Sequence, residues 1–119
     1  MKLTNFGKAV RKARVETGVT LSDMSKSLGK SAAFFSAIEK GKTKIPLDVI
    51  NGIIMFFDKK NFEFDVNLRV LANIDNGVVP IDELEYDHKL IVSTIANTSY
   101  TKEQLEIILD TINNIKRDT

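Results

Sequence analysis

With 119 residues, 43% apolar and 28% charged side chains, the chain has the composition of one small globular domain, or of a small domain with an appendage, and not that of a disordered segment. The formal net charge of +1 conceals a division: residues 1–60 hold twelve Lys/Arg against five Asp/Glu, net +7, whereas residues 61–119 hold five against eleven, net −6. Such asymmetry suggests a polyanion-binding module over 1–60 joined to an extension over 61–119 with another task, although chance segregation of surface charge is the alternative.

From Asn5 to about Glu16, Phe6, Val10 and Ala13 recur at helical spacing between Lys8, Arg11, Lys12 and Arg14, which predicts a basic amphipathic helix stopped by Gly18. Thr20 with Asp23 three residues on forms a weak capping box for a short second helix with Leu21, Met24 and Leu28 on its apolar face. Gly29 ends it. Ser31 is a second N-cap, opening a helix to about Lys40 with Phe35 and Ile38 facing inward, and Gly41 stops that helix before the exposed basic loop Lys42-Thr43-Lys44. Pro46 suits the first turn of a fourth helix, about 46–57, with Ile50, Ile53, Ile54 and Phe57 as its core face.

The second half is less regular. Leu68 and Leu71 predict a fifth helix over roughly 64–74, although Phe62, Phe64 and Val66 alternate as in a strand. Asp75-Asn76-Gly77 reads as a turn and Val78–Ile81 as one short extended segment, which Pro80 confines to an edge or an exchanged strand. Tyr86–Ala96 reads as a helix, and Thr101 with Gln104 caps a terminal one carrying Leu105, Ile108, Leu109, Ile112 and Ile115.

No apolar run approaches the roughly 18 residues that cross a bilayer, and the first residues lack the apolar stretch of a signal peptide. Cysteine is absent, so there are neither disulfides nor thiolate metal sites. These features lead us to expect a cytoplasmic protein with no membrane partner. His88 is the only histidine and has no second soft ligand to share a metal, the acidic run Asp82–Asp87 reads as a solvated face, and no nucleophile–base or phosphate-loop pattern occurs. The expectation is a protein without metal or cofactor, and not an enzyme.

Two short helices joined by a glycine-containing turn, here Leu21–Leu28 and Ala32–Lys40 around Gly29-Lys30-Ser31, meet the physical definition of a helix-turn-helix. Arg14, Gly18-Val19-Thr20-Leu21, Met24-Ser25, Leu28-Gly29, Ser31, Phe35-Ser36 and above all Ile38-Glu39-Lys40-Gly41-Lys42 followed by Ile45-Pro46 closely resemble the Cro/C1-type (Xre family) helix-turn-helix of phage repressors and related regulators. The resemblance covers residues 6 to about 58. It implies a mainly all-α, lambda-repressor-like bundle of four to five helices, to which the remainder adds a mostly helical extension containing one short strand. It also implies a transcriptional regulator, a repressor in the favoured reading, that binds double-stranded palindromic operator DNA as a homodimer.

Carried over by that resemblance, Ala32, Ala33, Phe34, Ser36 and Ala37 would form the base-reading face. Lys30, Ser31, Lys40, Lys42, Thr43 and Lys44 would lie along phosphates, and Arg14 and Glu39 would form a structural ion pair bracing two helices. The chain departs from the family in placing alanine at 32, 33 and 37, where longer polar side chains are common, and Leu21 where Gln is frequent. Alanine reaches only a thymine methyl, so direct readout should be thin and groove shape should contribute. Phe34 and Phe35 are either both core or, given their roughly 100° separation, Phe35 inward and Phe34 partly exposed.

The acidic extension should face away from DNA. Leu105, Ile108, Leu109 and Ile112 either pack on the preceding domain or form a dimer interface together with Val78, Val79 and Ile81, and family members often carry such a dimerising extension. A second functional reading also stands: the alanine-rich face of 32–37 would bind a protein partner, as in an antitoxin.

Overall fold

The computed structural model describes residues 2–117 and is all-helical, with no strand among the described residues. Contacts divide the chain into two units, Met1–Val79 and Pro80–Thr119.

The first unit holds five helices: α1 (Asn5–Thr17), α2 (Leu21–Leu28), α3 (Ala32–Glu39), α4 (Leu47–Asp58) and α5 (Leu68–Asn76). Their starts follow from side-chain caps: Thr4, Thr20, Ser31 and Asn67 each accept a first-turn N–H, at Gly7, Asp23, Phe34, and Arg69 with Val70 respectively. Pro46 stands at the N-cap of α4 rather than inside its first turn. Gly18, Gly29 and Gly77 end α1, α2 and α5 in the left-handed region. α1 packs on α3 and α5, α2 on α3 and α4, and α4 on α5. The core they enclose takes Phe6, Val10 and Ala13 from α1, Met24 from α2, Phe35 and Ile38 from α3, Val49, Ile50, Ile53 and Phe57 from α4, and Leu68 and Ala72 from α5.

Three expectations change here. The unit runs to residue 79 rather than 60, because Leu68 and Ala72, one helical turn apart, complete the core. Divided at 79/80, the units carry thirteen basic against eight acidic residues, net +5, and four against eight, net −4, so the asymmetry persists. α5 begins at 68 rather than 64, and the alternation of Phe62 and Phe64 serves an aromatic cluster, not a strand. Asn61 adopts φ 60° after α4, and Phe57, Phe62 and Phe64 meet edge to face with ring centroids 5.1–5.8 Å apart. The short strand at Val78–Ile81 is not formed. The Val78 N–H is already donated to the Asn73 carbonyl in the cap of α5, and Pro80 has no N–H, so two of the segment's four positions have no donor free for a ladder.

The second unit contains α6 (Tyr86–Ala96) and α7 (Lys102–Arg117), the latter opened by a reciprocal Thr101–Gln104 capping box. No described residue of this unit is fully buried. Leu90 and Ile91 on α6, and Leu105, Ile107, Leu109, Ile112 and Ile115 on α7, are exposed. No described helix is long and apolar enough to cross a membrane.

Candidate nucleic-acid interface

α2, the turn Gly29-Lys30-Ser31 and α3 form a helix-turn-helix held by local chemistry at every joint. Thr20 and Asp23 exchange hydrogen bonds of 3.0 Å in a full capping box, and these bonds from Thr20 hold the Asp23 carboxyl below its ordinary value. The sequence pattern had suggested only a weak box. The Ser25 hydroxyl donates to the Lys30 carbonyl, tying α2 to the turn. Gly29, at φ 70°, donates to the Ser25 carbonyl and sends the chain on to Ser31.

Ser31 then starts α3. Its hydroxyl oxygen accepts from Phe34 N–H at 3.0 Å and its carbonyl from Phe35 N–H, so the Ala32 and Ala33 N–H groups precede the first intrahelical bond. Ala32 and Ala33 are exposed, while Phe34, Ser36 and Ala37 are half-buried. Phe35 is core and its ring meets Phe34 edge-on, and Lys30 Nζ stands 5.5 Å from the Phe34 ring centroid. Of the two arrangements open to this aromatic pair, the structure adopts the one with Phe35 inward and Phe34 partly exposed.

At its other end α3 closes with a Schellman pattern: Gly41 N–H donates to Ile38 O, and Lys42 N–H to Ala37 O at 2.9 Å. Lys42, Thr43 and Lys44 follow as an exposed loop, and Lys40 is half-buried. Lys30 and Ser31 are exposed at the opposite end of the helix. The structure therefore brings the basic residues to the two ends of α3, with the alanine and serine positions between them.

What holds α3 in place is its last residue. Glu39, 4% exposed, takes a 2.8 Å ion-paired hydrogen bond from Arg14 Nη2 on α1, whose side chain is 14% exposed. Burial pushes the Glu39 carboxyl above its ordinary value, and the Arg14 charge opposes that shift. Glu39 Oε2 and Arg14 Nε, both buried, have no hydrogen-bond partner, so the pair is joined by one bond rather than a bidentate fork. The Glu39 carbonyl accepts from Thr4 N–H at 3.0 Å and from the Thr4 hydroxyl at 3.3 Å. Gly7 lies against that same carbonyl so closely that a Cβ there would sit 2.0 Å from the oxygen. Sequence reasoning found the Arg14–Glu39 pair but missed Thr4 and Gly7. The only available signal was a glycine on the buried stripe of a helix, where it disfavours helix unless a neighbour needs the space.

Val78, Val79, Leu105, Leu109 and Ile112 are exposed, and Ile81 and Ile108 are half-buried. Tyr100, Gln104, Ile107 and Ile108 line a shallow open hollow on the second unit. Among the described residues there is no cluster of three or more His, Cys, Asp or Glu able to hold a metal.

The fold and site thus define a helix-turn-helix bundle. No family model and no curated protein matches the chain. One solved structure, described as a complex of SinR protein with SinI protein, is similar over 94% of this chain and 98% of its own, with 20% identity and a TM-score of 0.44.

Proposed function

We propose that this protein is a sequence-specific DNA-binding transcriptional regulator of the Cro/C1 type, a cytoplasmic repressor that occupies operator DNA as a homodimer and has no catalytic role. One observation carries the reading: α3 is solvent-facing at its N-terminal end and flanked at both ends by lysines. With its side chains an α-helix is about 10–12 Å across, which fits the width of the major groove. Lys30 at one end and Lys42 and Lys44 at the other then meet the phosphates on the two walls, where each neutralised phosphate releases counterions. The Ala32 and Ala33 N–H groups, at the positive end of the α3 dipole, suit a further phosphate.

The base-reading face is Ala32, Ala33, Phe34, Ser36 and Ala37. It offers methyl contacts to thymine, one hydroxyl and an aromatic edge, so operator choice rests substantially on groove shape and bendability. The dimer contact is made by the stripe of α7, exposed Leu105, Leu109 and Ile112 with half-buried Ile108. A palindromic operator then receives two α3 helices about 34 Å apart. The net −4 of the second unit, against +5 in the first, favours DNA contact through the first alone.

The test is a titration of fluorescent duplex from the gene's own upstream region. The purified protein shifts it at low salt, affinity falls steeply as salt rises, and Lys42→Ala/Lys44→Ala lowers the slope of log K against log salt by about two. A flat salt dependence, or no shift of any upstream fragment at micromolar protein, overturns the reading. A second reading is favoured by one specific observation, the exposure of Ala32 and Ala33 beside half-exposed Phe34. On that reading the face binds a protein partner, as an antitoxin does, and capture of the partner is indifferent to the two lysine substitutions.

A further inference from the structure

We propose that Asn76, the last residue of α5, is a positioning residue for the DNA contact: its side-chain amide fixes the path of the lysine loop 42–44. The proposal rests on the reading that this loop faces phosphate.

The loop is held at two places. At its start, Lys42 N–H is bound to the Ala37 carbonyl in the cap of α3. At its end, Ile45 is only 3% exposed, its side chain sunk in the core. Both backbone polar groups of Ile45 are taken by Asn76: Ile45 N–H donates to Asn76 Oδ1 at 2.8 Å, and Asn76 Nδ2 donates to the Ile45 carbonyl at 2.9 Å. A carboxamide is suited to this because it presents an acceptor and a donor side by side, and so imitates the edge of a neighbouring strand where none exists. Pro46 then turns the chain into α4 with φ −63°. Only Thr43 and Lys44 lie between the two anchors.

The consequence concerns affinity more than stability. A lysine on a wandering loop must lose backbone freedom when it meets a phosphate, and that loss subtracts from binding. With Lys42 tied at its N–H and Lys44 next to a doubly bonded Ile45, most of that ordering is complete before DNA arrives. Asn76 lies 31 positions along the chain from Ile45 and touches no position expected to meet DNA. It acts through the loop.

The experiment uses the full chain and a mixed-sequence duplex of about three helical turns. Amide hydrogen exchange is first followed without DNA. Asn76→Ala accelerates exchange of the Ile45 N–H at least tenfold, whereas Asn76→Asp, which keeps the acceptor, accelerates it less. Duplex binding is then measured across salt. Asn76→Ala weakens binding several-fold and lowers the salt slope by about one, because a lysine no longer held in place neutralises less phosphate. Combined with Lys42→Ala/Lys44→Ala it adds nothing further, since the loop it positions has lost its charges.

A merely structural Asn76 predicts otherwise: the same loss of affinity with or without the two lysines and an unchanged slope, and that result overturns the proposal. So does unchanged Ile45 exchange. If Asn76→Ala does not fold, Asn76→Asp is read by the same slope and the same combination. A wild-type chain that binds no duplex removes the DNA reading and the proposal together. A wild-type chain that binds, with an Asn76→Ala variant of equal slope, removes the proposal alone.

Discussion

The two units of this chain are built from the same kind of helix and treat their apolar residues in opposite ways. In the first, five helices close over thirteen buried apolar side chains. In the second, α7 shows a stripe as regular as that of α4, yet no described residue of α6 or α7 is fully buried. Amphipathicity is therefore a demand for a partner surface and says nothing of where the partner comes from. Ordering a residue costs about 1–2 kcal/mol of backbone entropy, and a small unit burying so little cannot offset that alone. The first unit meets the demand internally. The described residues of the second do not meet it among themselves, and the proposed dimer contact rests on that.

The contrast is broken most severely by overfilling the first unit at its tightest contact. Gly7→Ala places a methyl 2.0 Å from the Glu39 carbonyl oxygen, with the Glu39 carbonyl carbon at 2.7 Å and its Cα at 2.8 Å. All three are backbone atoms, so no side chain can swing away. α1 must separate from α3, and the Thr4 bonds to the same carbonyl go with it. The expected loss is about 3 kcal/mol, the upper end for overpacking, read as a lower urea midpoint. An unchanged midpoint would mean that α1 and α3 are not held at this contact.

A charge in the second unit should act in a different way. Leu109 and Ile112 are 58% and 49% exposed, so Leu109→Asp/Ile112→Asp removes little that is packed within the chain. The stability of the first unit should move by no more than about 0.5 kcal/mol. Sedimentation should nevertheless show monomer where the parent is dimer, and operator affinity should fall with it. A parent that sediments as monomer at all concentrations would place the α7 stripe against something other than a second copy.

How much of this was legible in the sequence follows from the range of each interaction. Caps are local, so Thr20, Ser31, Gly18, Gly29, Gly41 and Thr101 bounded helices that the structure places within a residue or two of expectation. α5 was misplaced because Phe62 and Phe64 carry a period of two that belongs to an aromatic cluster folded back on Phe57. Its true cap, Asn67, lies a residue before the first buried position. Asp75-Asn76-Gly77 read as a turn, and is instead the end of α5 with Gly77 as its left-handed cap. The grip of Asn76 on Ile45 was out of reach, since nothing in either neighbourhood announces a hydrogen bond across 31 positions. Within the candidate interface, the placement of Phe34 followed from helical angles, while Thr4 and Gly7 depended on how closely two helices approach.

The smallest effect sharpens the account of the one buried ion pair among the first unit's described residues. Glu39 is buried in the fold and solvated in the unfolded chain, and its folded value is raised. The folded state therefore holds the proton to higher pH than the unfolded state does. Between the ordinary carboxyl value and the raised one the folded chain binds more protons, so this group's contribution to stability falls as pH rises through that window and is constant above it. Below the ordinary value the penalty for burying the charge is absent. Glu39→Gln removes the titration and the charge partner of Arg14 together. On the acid side of the window the parent's Glu39 is protonated and neutral as Gln is, so the two proteins should be of about equal stability there. As pH rises through the window only the parent loses stability, so Glu39→Gln should become the more stable of the two towards neutral pH, measured by urea unfolding of both proteins across that range. A parent that instead gains stability over Glu39→Gln as pH rises would mean that the Arg14 charge outweighs burial at Glu39, and that the one-bond geometry of the pair understates its strength.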